Sequence, residues 1–437
     1  MIRALLLGAA LSLIAVTASA QDTLRVEGLQ AAALHHDPRS AQRALLREAT
    51  DLRLAVIGAD RLPQLSLHGQ ATHQSDVTRP TFGVPGISVP DFPKDRWQTT
   101  LDLEQRLYDG GDVARRRELE EARHAESEAA LQVSLYQLRS DVNSAFFSAF
   151  LFQRRADEYQ ALMGDLDARL TAVRARVEAG TALRGDAAEV EAERMRAELQ
   201  REEARASRRA ALATLADLTG RPIDTTEVLA LTEAEPERDY PGLAAAAALR
   251  LRPEFAQLQR SRLRLDREIA YAGTENRPRV YAFGQAGVGL PGLDQFRTSS
   301  DAFWQAGVKL EWRPWTWRSA GRTAAALRLQ QQIVTTEEQA LGRQLARAVL
   351  TDLEEIGRLK SALADDERIV SLRTEVERQA RAQFDEGAIT TPDYVEARTD
   401  VVEARLTLER HRVELAQARA RYLTTLGLTP TTPGTTP

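Results

Sequence analysis

The chain has 437 residues, no cysteine and a formal net charge of −5, with 58 basic against 63 acidic side chains. This balance gives no basic footprint for nucleic acid, and the lack of cysteine excludes disulfides and thiolate metal sites. Aromatic residues make up only 5% of the chain, whereas Ala, Arg, Glu and Leu are abundant. Such a composition favours long helices or coiled coils.

The N-terminus has the three parts of a secretory signal peptide. Arg3 supplies positive charge, residues 4–16 form an apolar run, and residues 18–20 read Ala-Ser-Ala, which is typical of a cleavage site. We predict a signal peptide over residues 1–20 and a mature protein of the bacterial envelope that starts at Gln21. An uncleaved membrane anchor is the alternative, disfavoured because the apolar run is short. No later segment has the ~18 consecutive apolar residues of a membrane-crossing helix.

The chain contains two copies of one pattern, displaced by about 207 residues. At this displacement residues 176–193 align with residues 383–400, matching Gly with Gly, Asp with Asp and Glu with Glu. Further along, Gly220 aligns with Gly427, and prolines upstream align at a slightly larger displacement. Agreement of several glycine and proline positions in one order indicates a duplication.

Each copy predicts the same elements in the same order. A helix of modest length ends before a proline, as helices often do, and two segments with alternating polar and apolar residues then indicate strands. A very long helix, a turn and a returning helix follow. The predicted first repeat spans residues 21–220, with a β-hairpin at 64–108, a long helix at 110–179 and a turn at 180–186. The second spans residues 243–428, with a β-hairpin at 279–313, a long helix at 319–386 and a turn at 387–393. Residues 221–242 form an equatorial linker, and residues 429–437 form a flexible tail.

The predicted strands have about ten residues each, near the length that a tilted strand needs to cross a bilayer. All five tryptophans lie in or beside them. Aromatic residues at membrane interfaces are typical of outer-membrane barrels, and we predict this position for Trp97, Tyr108, Trp304, Trp312 and Trp315. A soluble sheet packed on the helices is the alternative, because an amphipathic strand does not say what its apolar face contacts.

Four strands cannot close a barrel, and an open sheet edge in lipid leaves backbone groups unpaired. Since about eight strands is the usual minimum, the chain must oligomerise if it enters a membrane. A dimer supplies eight strands and a trimer twelve, and only the larger barrel leaves an appreciable lumen.

With these elements the chain resembles the TolC-like outer-membrane efflux proteins. The resemblance extends from about Leu24 to Leu428. It is carried by the duplicated order of elements, by LYDGGDVARRRELEEAR after the second strand and by the Gly…Asp turns. It implies a mainly α fold with a β-barrel part: long antiparallel helical hairpins form an α-barrel, and four strands per chain complete a twelve-stranded trimeric transmembrane barrel. The second copy departs from the pattern, with PWTWRSAGR where the first has Asp-Gly-Gly.

The resemblance implies an exit duct in the outer membrane of a Gram-negative bacterium, with a periplasmic extension. The homotrimer, embedded in outer-membrane lipid, would passively conduct small toxic compounds, metals or secreted proteins. It would receive them from a periplasmic adaptor and an inner-membrane pump of the RND, ABC or MFS type. The sequence shows no catalytic constellation, so we expect no enzyme activity, no cofactor and no metal site. The alternative function is an exported coiled-coil scaffold or adaptor protein without a membrane channel.

The two turns are the predicted docking surface for the adaptor. Their residues are Gly180, Thr181, Ala182, Leu183 and Asp186 in the first turn and Gly387, Ala388, Ile389, Thr390 and Asp393 in the second. Glycine after a helix is also an ordinary left-handed cap. Thr391 as N-cap with Pro392 in the first turn is also an ordinary helix start. Both interpretations stand together, since an exposed turn is a natural docking surface.

Asp393 and Glu396 lie three residues apart and therefore share one helix face. In TolC-like channels, acids six and nine positions after the glycine of this turn line the periplasmic constriction. The resemblance thus predicts that Asp393 and Glu396 form an acidic gate, in which the carboxylates of several chains surround one axis and favour cations. The alternative is a pair of acids that complement the helix dipole. For Asp186 and Glu189, which have the same spacing in the first copy, we favour that capping role.

Overall fold

The computed structural model describes residues 23–77, 93–231, 249–294 and 299–428. Its elements, in chain order, are α1 (Val26–His36), α2 (Gln42–Ala59), β1 (Gln64–His73), β2 (Asp95–Tyr108), α3 (Asp112–Tyr136), α4 (Leu138–Glu178), α5 (Arg184–Thr219), α6 (Pro253–Ala272), β3 (Arg279–Leu290), β4 (Asp301–Glu311), α7 (Ser319–Asp385) and α8 (Thr391–Leu426). The predicted signal peptide, the predicted tail and part of the predicted linker lie outside the described residues. Among the helices that are described, none combines the length and apolarity needed to cross a membrane.

Contacts divide the chain into two compact units. The first, here called the sheet unit, contains residues 38–136 and 246–346. The second, the helix unit, contains residues 1–37, 137–245 and 347–437. The strands therefore lie in the sheet unit, whereas both predicted turns lie in the helix unit.

The sheet unit contains one antiparallel sheet in the order β1-β2-β3-β4, so β1 and β4 are its edges. Its register aligns Leu67 with Leu101, Leu101 with Ala286, and Ala286 with Trp304. Residues opposite each other on neighbouring strands share a face, so these four side chains form one row. The predicted strands are thus present, and their apolar positions coincide on one side of the sheet.

The apolar face of the sheet is exposed. Seven of its side chains, each 46% to 76% exposed, are Leu65, Leu67, Leu101, Leu103, Trp304, Val308 and Leu310. A soluble monomer rarely leaves so large a continuous apolar area uncovered. The alternative in which helices of the same chain cover this sheet is therefore wrong for the described residues.

The opposite face of the sheet is polar and internally hydrogen bonded. Asp102 Oδ2 lies 2.7 Å from Nδ1 of His68 and accepts a 2.9 Å bond from Oγ1 of Thr100. The amide of Gln285 also donates to Asp102, and Gln305 Nε2 donates to Gln285 Oε1 at 2.5 Å. One row of hydrogen bonds thus crosses all four strands.

The first long helix differs from its prediction. It was expected to be continuous over residues 110–179, but α3 ends at Tyr136 and α4 starts at Leu138. The intervening Gln137 keeps helical backbone angles of φ −62° and ψ −28°, so the interruption is a local break in hydrogen bonding and not a turn. In the second copy α7 is unbroken, with 67 residues.

The N-terminal helix α1 and its contact with the linker were not predicted. The N–H of Leu24 donates to Val228 O at 3.0 Å, and the N–H of Ala230 donates to Leu24 O at 3.1 Å. Val26, Leu29 and Ala33 of α1 recur at helical spacing and pack with residues of α4 and α5 in one apolar core. The start of the predicted linker is therefore held by backbone pairing with the segment that precedes α1.

The two helix pairs of the helix unit are joined by different chemistry. Between α4 and α5 the buried residues are mainly apolar, among them Leu212 and Leu215. Between α7 and α8 buried carboxylates make specific contacts. Asp352, only 4% exposed, accepts a 2.6 Å bond from Arg421 Nε and a 2.9 Å bond from Thr425 Oγ1. Burying a carboxylate is costly unless it is paired in this way.

Candidate functional site: the turns of the helical hairpins

The two predicted turns have the same backbone structure. Gly180 and Gly387 both adopt the left-handed conformation, each with φ 77°. The N–H of Thr181 donates to Arg176 O at 2.8 Å, and the N–H of Ala388 donates to Gln383 O at the same distance. This bond, from the residue after a left-handed glycine back to the last turn of the helix, defines a Schellman cap. Each long helix therefore ends in a turn closed by backbone groups, and in the first turn Thr181 Oγ1 also donates to Arg176 O at 3.2 Å.

The helices that follow the turns also begin alike. The N–H of Leu183 donates to Asp186 Oδ2, and the N–H of Thr390 donates to Asp393 Oδ2, both at 2.9 Å. In the second turn Thr390 Oγ1 also donates to Asp393 Oδ2 at 2.5 Å. The N-cap is thus Thr390, and the prediction of Thr391 was wrong by one residue. Thr391 is only 3% exposed and already belongs to α8.

The predicted gate acids Asp393 and Glu396 are both exposed at the start of α8. Hydrogen bonds from the side chain and backbone of Thr390 lower the pKa of Asp393 below its usual value. Asp393 therefore has the capping role that the sequence favoured only for Asp186. Its role in a gate stays a prediction, because a constriction is a property of several chains.

Most of the predicted docking residues are open to solvent. Gly180, Thr181, Leu183, Gly387, Ala388 and Thr390 are exposed, and Ala182, Asp186 and Ile389 are partly covered. Leu183 stands out, since this apolar side chain is 77% exposed. The turns thus present small and apolar groups on a fixed backbone.

A cluster beside the second turn was missed by sequence reasoning. The guanidinium carbon of Arg169 lies 4.2 Å from the ring centre of Tyr394 and 4.8 Å from that of Phe384. The two rings stack at 5.3 Å with an angle of 24° between their planes. Arg169 Nη1 also donates to Asp385 Oδ1 at 2.8 Å. Burial by itself lowers the pKa of Arg169, but hydrogen bonds to Tyr394 and Asp385 raise it overall.

Two more arginines join the same cluster. Arg176 lies 5.4 Å from the ring centre of Phe384 and donates to Asp385 O at 3.4 Å. Arg398 of α8 contacts the carboxylate of Asp165 on α4. These contacts link the first hairpin to the second turn over more than 200 positions of sequence. The structure thus brings the two copies together at the turns.

The predicted interface aromatics lie along the sheet and just after it. Trp97 and Trp304 are on the apolar face, 40% and 76% exposed, and Tyr108 is the last residue of β2. Trp312 and Trp315 follow β4 and are 55% and 73% exposed. In the part of the chain that the structure describes, no group of three or more His, Cys, Asp or Glu side chains could hold a metal ion.

Comparisons with known proteins agree with this architecture. Residues 29–221 match the family model described as outer membrane efflux protein. Among curated proteins, none matches the chain in sequence. Solved structures with similar folds include CusC, VceC and OprN. CusC has a TM-score of 0.71 and 15% identity, with 92% of each chain covered. VceC of Vibrio cholerae has a TM-score of 0.67 and 15% identity, covering 92% of this chain and 96% of that one. The outer-membrane channel OprN has a TM-score of 0.67 and 19% identity, covering 92% and 89%.

At these identities the structural likeness shows the fold, which is mainly α with a four-stranded antiparallel sheet and is the fold of outer-membrane channels. The family match then identifies which class of such proteins the chain is like. The resemblance to the TolC-like outer-membrane efflux proteins is thereby confirmed. The match is to a family of transport proteins and not of enzymes.

Proposed function

We propose that this protein is the outer-membrane exit duct of a tripartite export system. The observation that supports this most directly is the two-faced sheet, apolar and exposed on one side, polar and hydrogen bonded on the other. Such a sheet suits a barrel wall with lipid outside and water inside. The family match and the fold support the same function.

The edges of the sheet support assembly into a trimer. β1 and β4 each pair on one side only, and in lipid their outer backbone groups need a neighbouring strand. The helices also leave apolar side chains uncovered. Four of them on α7, between 56% and 63% exposed, are Leu329, Ile333, Leu350 and Leu372. Three copies would supply twelve strands, a closed wall with a lumen, and partners for these helix faces.

The trimer would reside in the outer membrane with its helices in the periplasm. The turns at 180–186 and 387–393 would dock a periplasmic adaptor, which connects the duct to an inner-membrane pump of the RND, ABC or MFS type. Transport through the duct is passive. The cargo belongs to one of three classes: small toxic compounds, metals or secreted proteins.

Paired substitutions on the two sheet faces test the membrane assignment. An arginine near the bilayer midplane on the lipid face of a barrel costs ~2–4 kcal/mol, whereas lumen positions tolerate charge. We therefore expect Leu67→Arg to deplete heat-modifiable trimers from the outer-membrane fraction, and Gln70→Arg to leave them. Equal amounts of trimer from both variants, or extraction of the wild type by salt alone, would favour a periplasmic scaffold or adaptor protein instead.

Cross-linking tests the docking surface. Because the chain has no cysteine, a single cysteine at Thr181 or Ala388 is the only thiol present. We expect either to cross-link to an adaptor protein that co-purifies with the trimer. Ala325→Cys, exposed on α7, is the control and should not. Adaptor cross-links from the control but not from the turns would refute docking at these residues.

The gate is best tested at Glu396, because substitution of Asp393 also removes a helix cap. We expect Glu396→Gln to alter single-channel conductance in planar bilayers or its block by multivalent cations, since rings of carboxylates attract cations. Glu189→Gln, exposed at the matching place in the first copy, is the control and should leave both unchanged. Identical conductance and block in all three proteins defeats the gate assignment.

A further inference from the structure

Residues 312–318, directly after β4, expose three tryptophans in one short loop. Trp312, Trp315 and Trp317 are 55%, 73% and 77% exposed. The loop continues the apolar face of the sheet, because Val308 and Leu310 lie on that face and Trp312 follows at the same spacing. So much aromatic surface in water is unfavourable, and patches of this kind mark interaction sites.

The backbone of the loop is strained at two residues with exposed side chains, Trp317 and Arg318. Trp317 and Arg318 have φ 51° and 62°, in the left-handed region of backbone conformation that residues other than glycine rarely adopt. Their counterparts 207 positions earlier are Gly110 and Gly111, with φ 65° and 87°. The second copy thus holds a tryptophan and an arginine in a conformation that the first copy assigns to glycine. Such strain is concentrated at functional sites.

The loop is nevertheless fixed in place. Trp312 Nε1 donates to Asn276 O at 3.1 Å, and Thr316 Oγ1 donates to Asn276 Oδ1 at 2.8 Å. The rings of Trp315 and Trp317 meet edge to face, with centres 5.9 Å apart. The two most exposed rings of the loop, those of Trp315 and Trp317, therefore lie together on an anchored backbone.

The charge of the loop is positive. Arg313 and Arg318 are both exposed. Arg313 Nη2 lies 3.3 Å from Oε1 of Glu311, and Arg318 forms no ion pair with any residue that the structure describes. Tryptophan is enriched at the headgroup level of membranes, and arginine binds phosphate through parallel N–H bonds. Tryptophans and arginines at the end of an apolar sheet face thus fit phospholipid headgroups better than a protein surface.

We propose that residues 312–318 bind anionic phospholipid headgroups at the membrane border beside the end of β4. Trp315 and Trp317 enter the interfacial layer, and Arg313 and Arg318 contact the lipid phosphates. The proposal rests on the proposed function, because it requires the apolar sheet face to lie in a membrane.

The test uses full-length trimers in vesicles of mixed phosphatidylglycerol and phosphatidylcholine, of which one lipid at a time is brominated to quench tryptophan. One variant keeps only Trp317 and another keeps only Trp304, the other tryptophans being phenylalanine. We expect Trp317 to be quenched more by brominated phosphatidylglycerol than by brominated phosphatidylcholine. A basic residue near the surface enriches anionic lipid about fivefold, so Arg313→Gln with Arg318→Gln should remove the preference. Equal quenching of Trp317 by the two lipids, or a preference that survives both substitutions, overturns the proposal.

Trp304 separates this proposal from the proposed function. If both lipids quench Trp304 but neither quenches Trp317, the sheet lies in the membrane and only the loop assignment fails. If neither residue is quenched, the membrane assignment itself fails.

A second variant excludes a structural role for the loop. Trp317→Gly with Arg318→Gly restores the glycine pair of the first copy and relieves the strained backbone. We expect this variant to melt no earlier than the wild type in detergent, yet to retain fewer phosphatidylglycerol molecules in native mass spectrometry. A lower melting temperature with unchanged lipid retention shows that these side chains serve packing, and overturns the proposal.

Discussion

Replacement of Arg169 by leucine should loosen the second turn while leaving the helices intact. The side chain of Arg169 is only 10% exposed and contacts Phe384, Tyr394 and Asp385 together. Leucine keeps part of the apolar packing and removes the charge. The substitution therefore isolates the contribution of the cation from that of the buried stem.

The expected loss follows from these contacts. A cation–π contact is worth ~0.5 kcal/mol when exposed and ~2 kcal/mol when desolvated, and Arg169 makes two of them at 4.2 Å and 4.8 Å. The ion pair adds little, because Asp385 is half exposed and can be solvated alone. We expect the turn to lose about 1–3 kcal/mol of local stability.

Hydrogen exchange with mass spectrometry, on peptides that cover residues 380–394, measures this loss. Because ~1.4 kcal/mol corresponds to a factor of ten, protection there should fall about tenfold to a hundredfold. Arg174→Leu is the matched control. It lies on the same helix in an exposed pair with Glu191, and such pairs contribute at most ~1 kcal/mol. Unchanged protection in Arg169→Leu, or an equal loss in both variants, would refute the stabilising role of the cluster.

Three further predictions concern stability. Gly180→Ala should cost ~1–2 kcal/mol because its backbone is left-handed. Gly220→Ala should cost more, since its added Cβ would also stand 2.0 Å from Nδ1 of His36. Urea unfolding of the two variants measures both costs, and equal costs would contradict the steric contribution at Gly220. The carboxyl group of Asp393, which caps α8, has a pKa below the usual 3.8 in the folded chain. The stabilisation by this cap is therefore present above pH 3.8 and is lost as the pH falls through the folded pKa. Hydrogen exchange at the turn, corrected for intrinsic rates, should show this loss in the wild type but not in Asp393→Asn. Asp352→Ala should cost about 1–3 kcal/mol and Thr425→Val about 1 kcal/mol, because each removes buried hydrogen bonds. Thermal unfolding followed by circular dichroism measures both costs, and a larger loss in Thr425→Val than in Asp352→Ala would contradict the prediction.

Much of the fold could be predicted because its signals are local. Alternation over about ten residues identified the strands, and the register confirms that apolar positions such as Leu67 and Trp304 share one face. Glycines with φ 77° mark both turns, where only a left-handed residue closes the helix. Repetition strengthened each local signal, since every feature could be checked against its counterpart.

The remainder depends on contacts that no local pattern records. Arg169 meets Tyr394 only because the fold brings the two copies together, although the two residues lie far apart in the sequence. The break at Gln137 has no proline or glycine beside it to mark it. The left-handed backbone at Trp317 was not predicted, because tryptophan rarely adopts this conformation, whereas its counterpart in the first copy is a glycine.

In the Schellman turns at Gly180 and Gly387, exposed side chains lie beside a backbone that is closed mainly by its own hydrogen bonds. Main-chain hydrogen bonds close both turns. In the first turn Thr181 Oγ1 adds a bond to Arg176 O at 3.2 Å, whereas the methyl side chain of Ala388 adds none in the second. Under the proposed docking, substitution of Ala388 would therefore change the surface offered to a partner with little stability penalty. The proposed docking specificity would then be free to diverge between related proteins while the backbone of the turn stays the same.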